Sequence, residues 1–117
     1  MRKLKHNLVY SKDTEVWCEN KEDMQFDMPH SFTVTSKNGS SVLSEVHFQE
    51  GPVEEYGVNG ITDEDLIMMV ICRLRHLQRT AEHECSENNL AINNLDSTLL
   101  WFKKRREKSG VPTTHSK

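Results

Sequence analysis

From Leu66 to Cys72 seven successive residues, LIMMVIC, are apolar, and they lie inside a stretch that reads as helix. An α-helix completes a turn in 3.6 residues, so such a run places apolar groups on every side of it rather than along one stripe. A helix of that kind is buried on more than one side. A chain of 117 residues with 35% hydrophobic content cannot supply so much cover alone. It fits a single domain, and a core this small is ordinarily completed by oligomerisation. A second copy of the chain would provide the missing surface, so a homodimer is expected.

The flanking residues set the limits of this helix. Thr62 reads as its N-cap, Asp63, Glu64 and Asp65 put negative charge in its first turn, and the pattern runs to about Gln78. A polar linker, Arg79 to Cys85, follows. Ser86 reads as the cap of a second helix that runs to about Lys108 and stops at Gly110, with Pro112 beyond. Asn88, Ile92, Leu95, Leu99 and Phe102 fall at alternating steps of three and four, a seam against the first helix. Two helices joined by a short turn form an antiparallel hairpin.

Upstream the pattern changes period. Asn7 to Tyr10 and Glu15 to Cys18 are short strand candidates, and the charged stretch Lys21 to Pro29 fits no regular element. SFTVTS, KNGS and SVLSEVHFQ then alternate apolar and polar residues around Asn38-Gly39, a pair suited to a turn with positive φ at both central positions. EGPVEEYGVNGI has too many glycines to be regular and reads as a connector. The expected fold is α+β, an N-terminal antiparallel β-sheet followed by a C-terminal antiparallel two-helix hairpin. Residues 1–60 make the β-rich part with its connector and 61–117 the hairpin, in one compact domain.

Charge narrows the partners. The net charge is -3 and the pI about 6.1, against a general nucleic-acid coat. Residues 1–60 are acidic overall, whereas Lys103, Lys104, Arg105, Arg106 and Lys108 form one cationic block. That block either complements the helix dipole or holds a compact anion. Three cysteines imply no disulfide framework. The basic start lacks the apolar core of a secretory signal, and no stretch approaches the ~20 apolar residues of a membrane span. A soluble, intracellular chain is expected, with no membrane and no nucleic-acid polymer among its partners.

The residue types present bear on three kinds of chemistry. Cys72, His76, His83 and Cys85 offer two thiols and two imidazoles within fourteen residues, but in no usual zinc spacing, and Cys72 reads as a small buried hydrophobe. No metal and no cofactor are expected. No nucleophile-elbow, zincin, phosphate-loop or dinucleotide motif occurs, so no catalytic residues are assigned and no enzyme is expected. A nucleotide pocket needs cationic forks, amides and an aromatic plate. Arg105 and Arg106, the asparagines at 88, 89, 93 and 94, and Tyr56, Trp101 and Phe102 supply those types. The plainer reading of such asparagines is a solvated helix face. Asn88 and Arg105 lie about 25 Å apart along one helix at 1.5 Å per residue. They meet only across two antiparallel copies.

Three segments carry a resemblance: HFQEGPVEEYGVNGITDEDLI, CSENNLAINNLDSTLLWF and the closing GVPTTHSK. Over residues 46–117 the chain resembles the phage Thoeris anti-defence sponges of the first type, which share a C-terminal helical hairpin domain. The first 45 residues match them only in being β-rich. The resemblance implies a protein of the infected bacterial host's cytoplasm that binds a glycocyclic ADP-ribose isomer between protomers of a dimer without cleaving it. Some such proteins form hexamers with a separate site for cyclic di- or trinucleotides. Residue by residue it implies ligand-binding roles for Asn88 with Glu87 before it, for Arg105, Arg106 and Lys108 at the helix end, and for His115 in the tail. Leu77 stands where the family carries an aromatic, so stacking there becomes apolar contact. Ser86 replaces an arginine, and Pro112 and Thr113 replace a glutamate and a glycine, so ligand preference or affinity is expected to differ. The alternatives kept open are a protein-binding inhibitor or adaptor that docks through the hairpin, and a zinc-stabilised adaptor.

Overall fold

The hairpin around Asn38-Gly39 organises the N-terminal part. Strands β3 (Ser31–Ser36) and β4 (Val42–His47) pair antiparallel, with Phe32 opposite Val46 and Val34 opposite Ser44. Asn38 and Gly39 both take positive φ, 67° and 69°, as a tight turn between right-twisted strands requires. A bulge between Val34 and Thr35 shifts the register near the turn. The computed structural model describes residues 1–110, which fall into two units that divide between Thr62 and Asp63.

In the first unit β2 (Thr14–Cys18) pairs antiparallel with β3, and β1 (Arg2–Lys3) pairs with β2, giving the sheet order β1-β2-β3-β4. Directly opposed residues share a face. Val16, Cys18, Phe32, Val34 and Val46 therefore line one side, where Cys18 is fully buried. Lys3, Glu15, Trp17, Thr33 and Thr35 line the other, with the Trp17 indole N–H donating to Thr35 Oγ1 at 2.9 Å and Lys3 Nζ 3.3 Å from Glu15 Oε2. Asn7 to Tyr10, expected as a strand, is a turn instead. Leu8 N–H bonds His6 Nδ1, Val9 N–H bonds the His6 carbonyl, and Leu8, Val9 and Tyr10 are exposed. Strand preference expresses packing on a half-buried surface, and no such surface receives this segment. The edge of the sheet is taken by Arg2–Lys3, extended by Leu4 N–H to the Val16 carbonyl at 2.8 Å.

The stretch Lys21 to Pro29 contains a short 3-10 turn, Lys21–Asp23, and two residues of positive φ, Phe26 and Asp27. Its exit is held by the Glu19 carboxylate, which accepts the N–H groups of His30 and Ser31. The connector, expected to be irregular, contains one helical turn, α1 (Val53–Tyr56), started by Pro52 and ended by Gly57 at φ 71°. Two side chains hold it. Gln49 Nε2 donates to the carbonyls of Gly51 and Gly57 while its Oε1 accepts the Asn59 N–H. Asn59 bonds both the N–H and the carbonyl of Glu50. Gly60 has a steric reason to be glycine, since a Cβ there would lie 2.4 Å from the Phe48 carbonyl carbon, where Phe48 bridges Ile61 in parallel.

The second unit is the hairpin of α2 (Asp63–Leu77) and α3 (Ser86–Lys108). The antiparallel course shows in three cross-links, Glu64 to Arg106, Arg75 to Asp96 and Gln78 to Asn88. Ile71 and Ile92 are buried between the helices, and Asn88, Leu95, Leu99 and Phe102 are half-buried along the expected seam. Cys85, not Ser86, is the N-cap of α3. It is extended and makes no side-chain cap bond, while the Ser86 hydroxyl turns to Glu87 Oε1 at 3.4 Å. At the other end Gly110 closes α3 at φ 79°, its N–H on the Glu107 carbonyl.

Candidate functional site

The apolar run of α2 is only partly covered by α3. Ile71 faces the seam, but Met68, Met69 and Val70 remain 63%, 55% and 47% exposed. Cys72, read as buried, is exposed too, since it sits about 100° round the helix from the buried Ile71. A groove of about 680 Å³ opens on this side, with Met68, Cys72, Leu99 and Leu100 in its lining. The Arg75–Asp96 pair, 3.5 Å apart, also lines it.

At the hairpin turn the residue after Leu77 is tied to Asn88, the neighbour of Glu87. Gln78, the first residue after α2, is the fastener. Its Oε1 accepts the Cys85 N–H at 3.0 Å and Asn88 Nδ2 at 3.1 Å, and its Nε2 donates to the Cys85 carbonyl at 2.9 Å. Asn88 Nδ2 also donates to the His83 carbonyl at 3.2 Å. Both amide hydrogens of Asn88 are thereby engaged, which leaves Oδ1 as its group for a ligand. Leu77 is half-buried and Glu87 is exposed. Asn89, Asn93 and Asn94 are exposed, the solvated face that such residues ordinarily make.

The opposite end carries the cations. Arg105 and Arg106 are adjacent, and the fold gives them different work. Arg106 pairs through Nη1 with Glu64 Oε2 in the first turn of α2, a clasp between the two helices at the open end of the hairpin. Arg105 lies outside, its guanidinium 4.6 Å from the centre of the Phe102 ring. Ring and guanidinium attract through the ring quadrupole, which orients the fork while leaving its edge free for an oxyanion. Lys104 and Lys108 are exposed on either side, next to Trp101. His115 lies outside the described residues.

Within one chain, therefore, the Leu77–Glu87–Asn88 group and the Arg105–Lys108 group stay at opposite ends of α3. The sequence had not pointed to Gln78 or Glu64 as the residues that position them. Nothing local marks either one, since a glutamine after a helix and an acid in its first turn are common. Cys72 and His76 are in contact, Sγ to Nδ1 at 3.8 Å, but His76 Nδ1 is bonded to the Cys72 carbonyl at 2.9 Å. Among the described residues no three His, Cys, Asp or Glu side chains gather as metal ligands would.

A small antiparallel sheet followed by a two-helix hairpin, with polar groups at the hairpin turn and cations at its open end, is the architecture of a hairpin-domain protein. The description Acb2/Tad1, hairpin domain, matches residues 42–107, which hold β4, the connector and nearly all of both long helices. The chain is also 40% identical to Thoeris anti-defense 1 of Bacillus phage SBSphiJ7, along 143 aligned positions covering all of both proteins. It belongs to the Acb2/Tad1 hairpin-domain family. The likeness thus extends through the first 45 residues as well, where the segments that carried the resemblance had stopped.

Proposed function

We propose that this protein is an anti-defence sponge: it binds a cyclic ADP-ribose isomer, of the glycocyclic kind, and withholds that signal from the host's effector without degrading it. The observation that carries the reading is the division of the polar groups between the two ends of the hairpin. Asn88 and Glu87 at one end and Arg105 and Lys108 at the other form one pocket only when a second, antiparallel copy lays its turn against the first copy's cationic end. The exposed Met68, Met69 and Val70 give that second copy a surface to cover. Covering half-exposed side chains of this size contributes about 1 kcal/mol each. In the shared pocket Arg105 takes a diphosphate oxygen through its fork. Asn88 Oδ1 accepts from the sugar or base, and Leu77 provides apolar contact. Lys108 completes the anion's surroundings, while Arg106 acts by holding the hairpin closed.

Cyclic di- or trinucleotides form a second ligand class under the same reading, at a separate site that a hexamer would build. The site of action is the cytoplasm of the infected bacterium. No helix among the described residues is long and apolar enough to cross a membrane.

The test is retention and release. The protein is incubated with the product of a TIR enzyme, filtered, heat-denatured, and the filtrate assayed for its ability to activate the effector. Intact signal in the filtrate supports the sponge. Altered signal means catalysis. Failure to retain the signal favours a protein-binding inhibitor that docks through the hairpin.

A further inference from the structure

We infer that Trp101 is the plate on which the retained nucleotide stacks its base, an inference that rests on the reading of this chain as a nucleotide sponge. Trp101 is 67% exposed, on α3. Its neighbour Phe102 is half-buried in the seam and already carries the Arg105 guanidinium on its face. Trp101, about 100° further round the helix, leaves its indole in solvent. Lys104, Arg105 and Lys108 follow it at three, four and seven residues, the spacing that puts side chains on one helical face. With Glu107 they line a shallow recess of about 570 Å³. Three cations and one carboxylate leave that recess net positive.

Charge decides between the two occupants an exposed tryptophan invites. In a two-fold dimer that packed this patch on itself, Lys104, Arg105 and Lys108 would meet their own copies, and like charges in apposition oppose association. An anion with a flat aromatic body meets no such conflict. Its diphosphate neutralises the cations while its base covers the indole, and every base has a face that can stack. The half-buried Leu77 at the other end of the hairpin has no π-face, so Trp101 is the aromatic surface this unit offers next to its cations.

The experiment titrates parent, Trp101→Ala, Trp101→Phe and Arg105→Ala with the cyclic ADP-ribose isomer made by a TIR enzyme, and with inorganic pyrophosphate. Calorimetry and tryptophan fluorescence are read together, and sedimentation checks assembly. The nucleotide is expected to quench the parent's fluorescence. The quench should be lost in Trp101→Phe, where only Trp17 still emits, while affinity stays within a fewfold. Trp101→Ala should bind on the order of tenfold to a hundredfold more weakly. Pyrophosphate should bind all four proteins without quenching, least well Arg105→Ala. Parent affinity in Trp101→Ala overturns the inference. So does a Trp101→Ala protein that sediments as a monomer, since the indole is then an interface residue. If Arg105→Ala loses the nucleotide and Trp101→Ala does not, the plate is refuted and the sponge stands. If the parent retains no nucleotide, both fall.

Discussion

Replacing Gln78 with alanine removes three hydrogen bonds at once, two accepted by Oε1 and one donated by Nε2. Each is worth about 0.5–1.5 kcal/mol net, and at a turn open to solvent the lower end applies, for a total of roughly 1.5–2 kcal/mol. For a domain of this size that corresponds to a fall in Tm of about 6–10 °C. The loss should also reach the site. Without Gln78 the Asn88 amide keeps only its bond to the His83 carbonyl, so its Oδ1 is no longer held in one direction. Gln78→Ala should therefore weaken nucleotide binding although Gln78 is not assigned to the ligand. Urea denaturation of Gln78→Ala, Asn88→Ala and the double variant measures the coupling, expected at about 0.5–1 kcal/mol. Strict additivity, or a Tm within about 2 °C of the parent for Gln78→Ala, would refute the fastener.

Arg105→Ala should weaken binding roughly ten- to a hundredfold, the worth of one charge-assisted hydrogen bond, and leave Tm within a few degrees. Calorimetric titration and melting check the two halves. In the same assay Leu77→Phe should tighten binding by around 1 kcal/mol, because it puts a ring where the chain has an aliphatic group. Val70→Asp sets a charge in the exposed apolar face and should convert the proposed dimer to a folded monomer, read by sedimentation. A dimer that survives it would place the interface elsewhere. Acid should act through Glu19. The His30 N–H, more than any other group, holds its carboxyl below the ordinary carboxylate value, with the Ser31 N–H and nearby His30 and His47 adding to the effect against desolvation. A carboxylate depressed in the folded state stabilises above its unfolded value of about 4.3, and that stability disappears as pH falls through the lower folded value. Glu19→Gln should thus lose stability relative to the parent at pH 6 and converge with it on acidification, by urea midpoints across the range.

What the chain determines locally was open to reading in one dimension. Asn38-Gly39 announces a turn because few residues tolerate positive φ, and both adopt it. The limits of α2 and α3 follow from acidic first turns, a closing glycine and the three-four seam, all properties of one helix with its own backbone. The excess of apolar surface on α2 is equally local, since seven residues on a helix cannot share one side. Where partners lie far apart in the chain, the fold decided. Strand preference pointed to Asn7–Tyr10, yet the sheet took Arg2–Lys3, because a ladder needs a free edge more than it needs β-branched side chains. Cys85 became the cap in place of Ser86 because Gln78, seven residues back, holds its backbone on both sides. Arg105 and Arg106 are equivalent as sequence. Only the arrival of Glu64, forty-two residues earlier, draws Arg106 into the hairpin and leaves Arg105 facing out, because an arginine goes to whichever carboxylate the packing brings within reach.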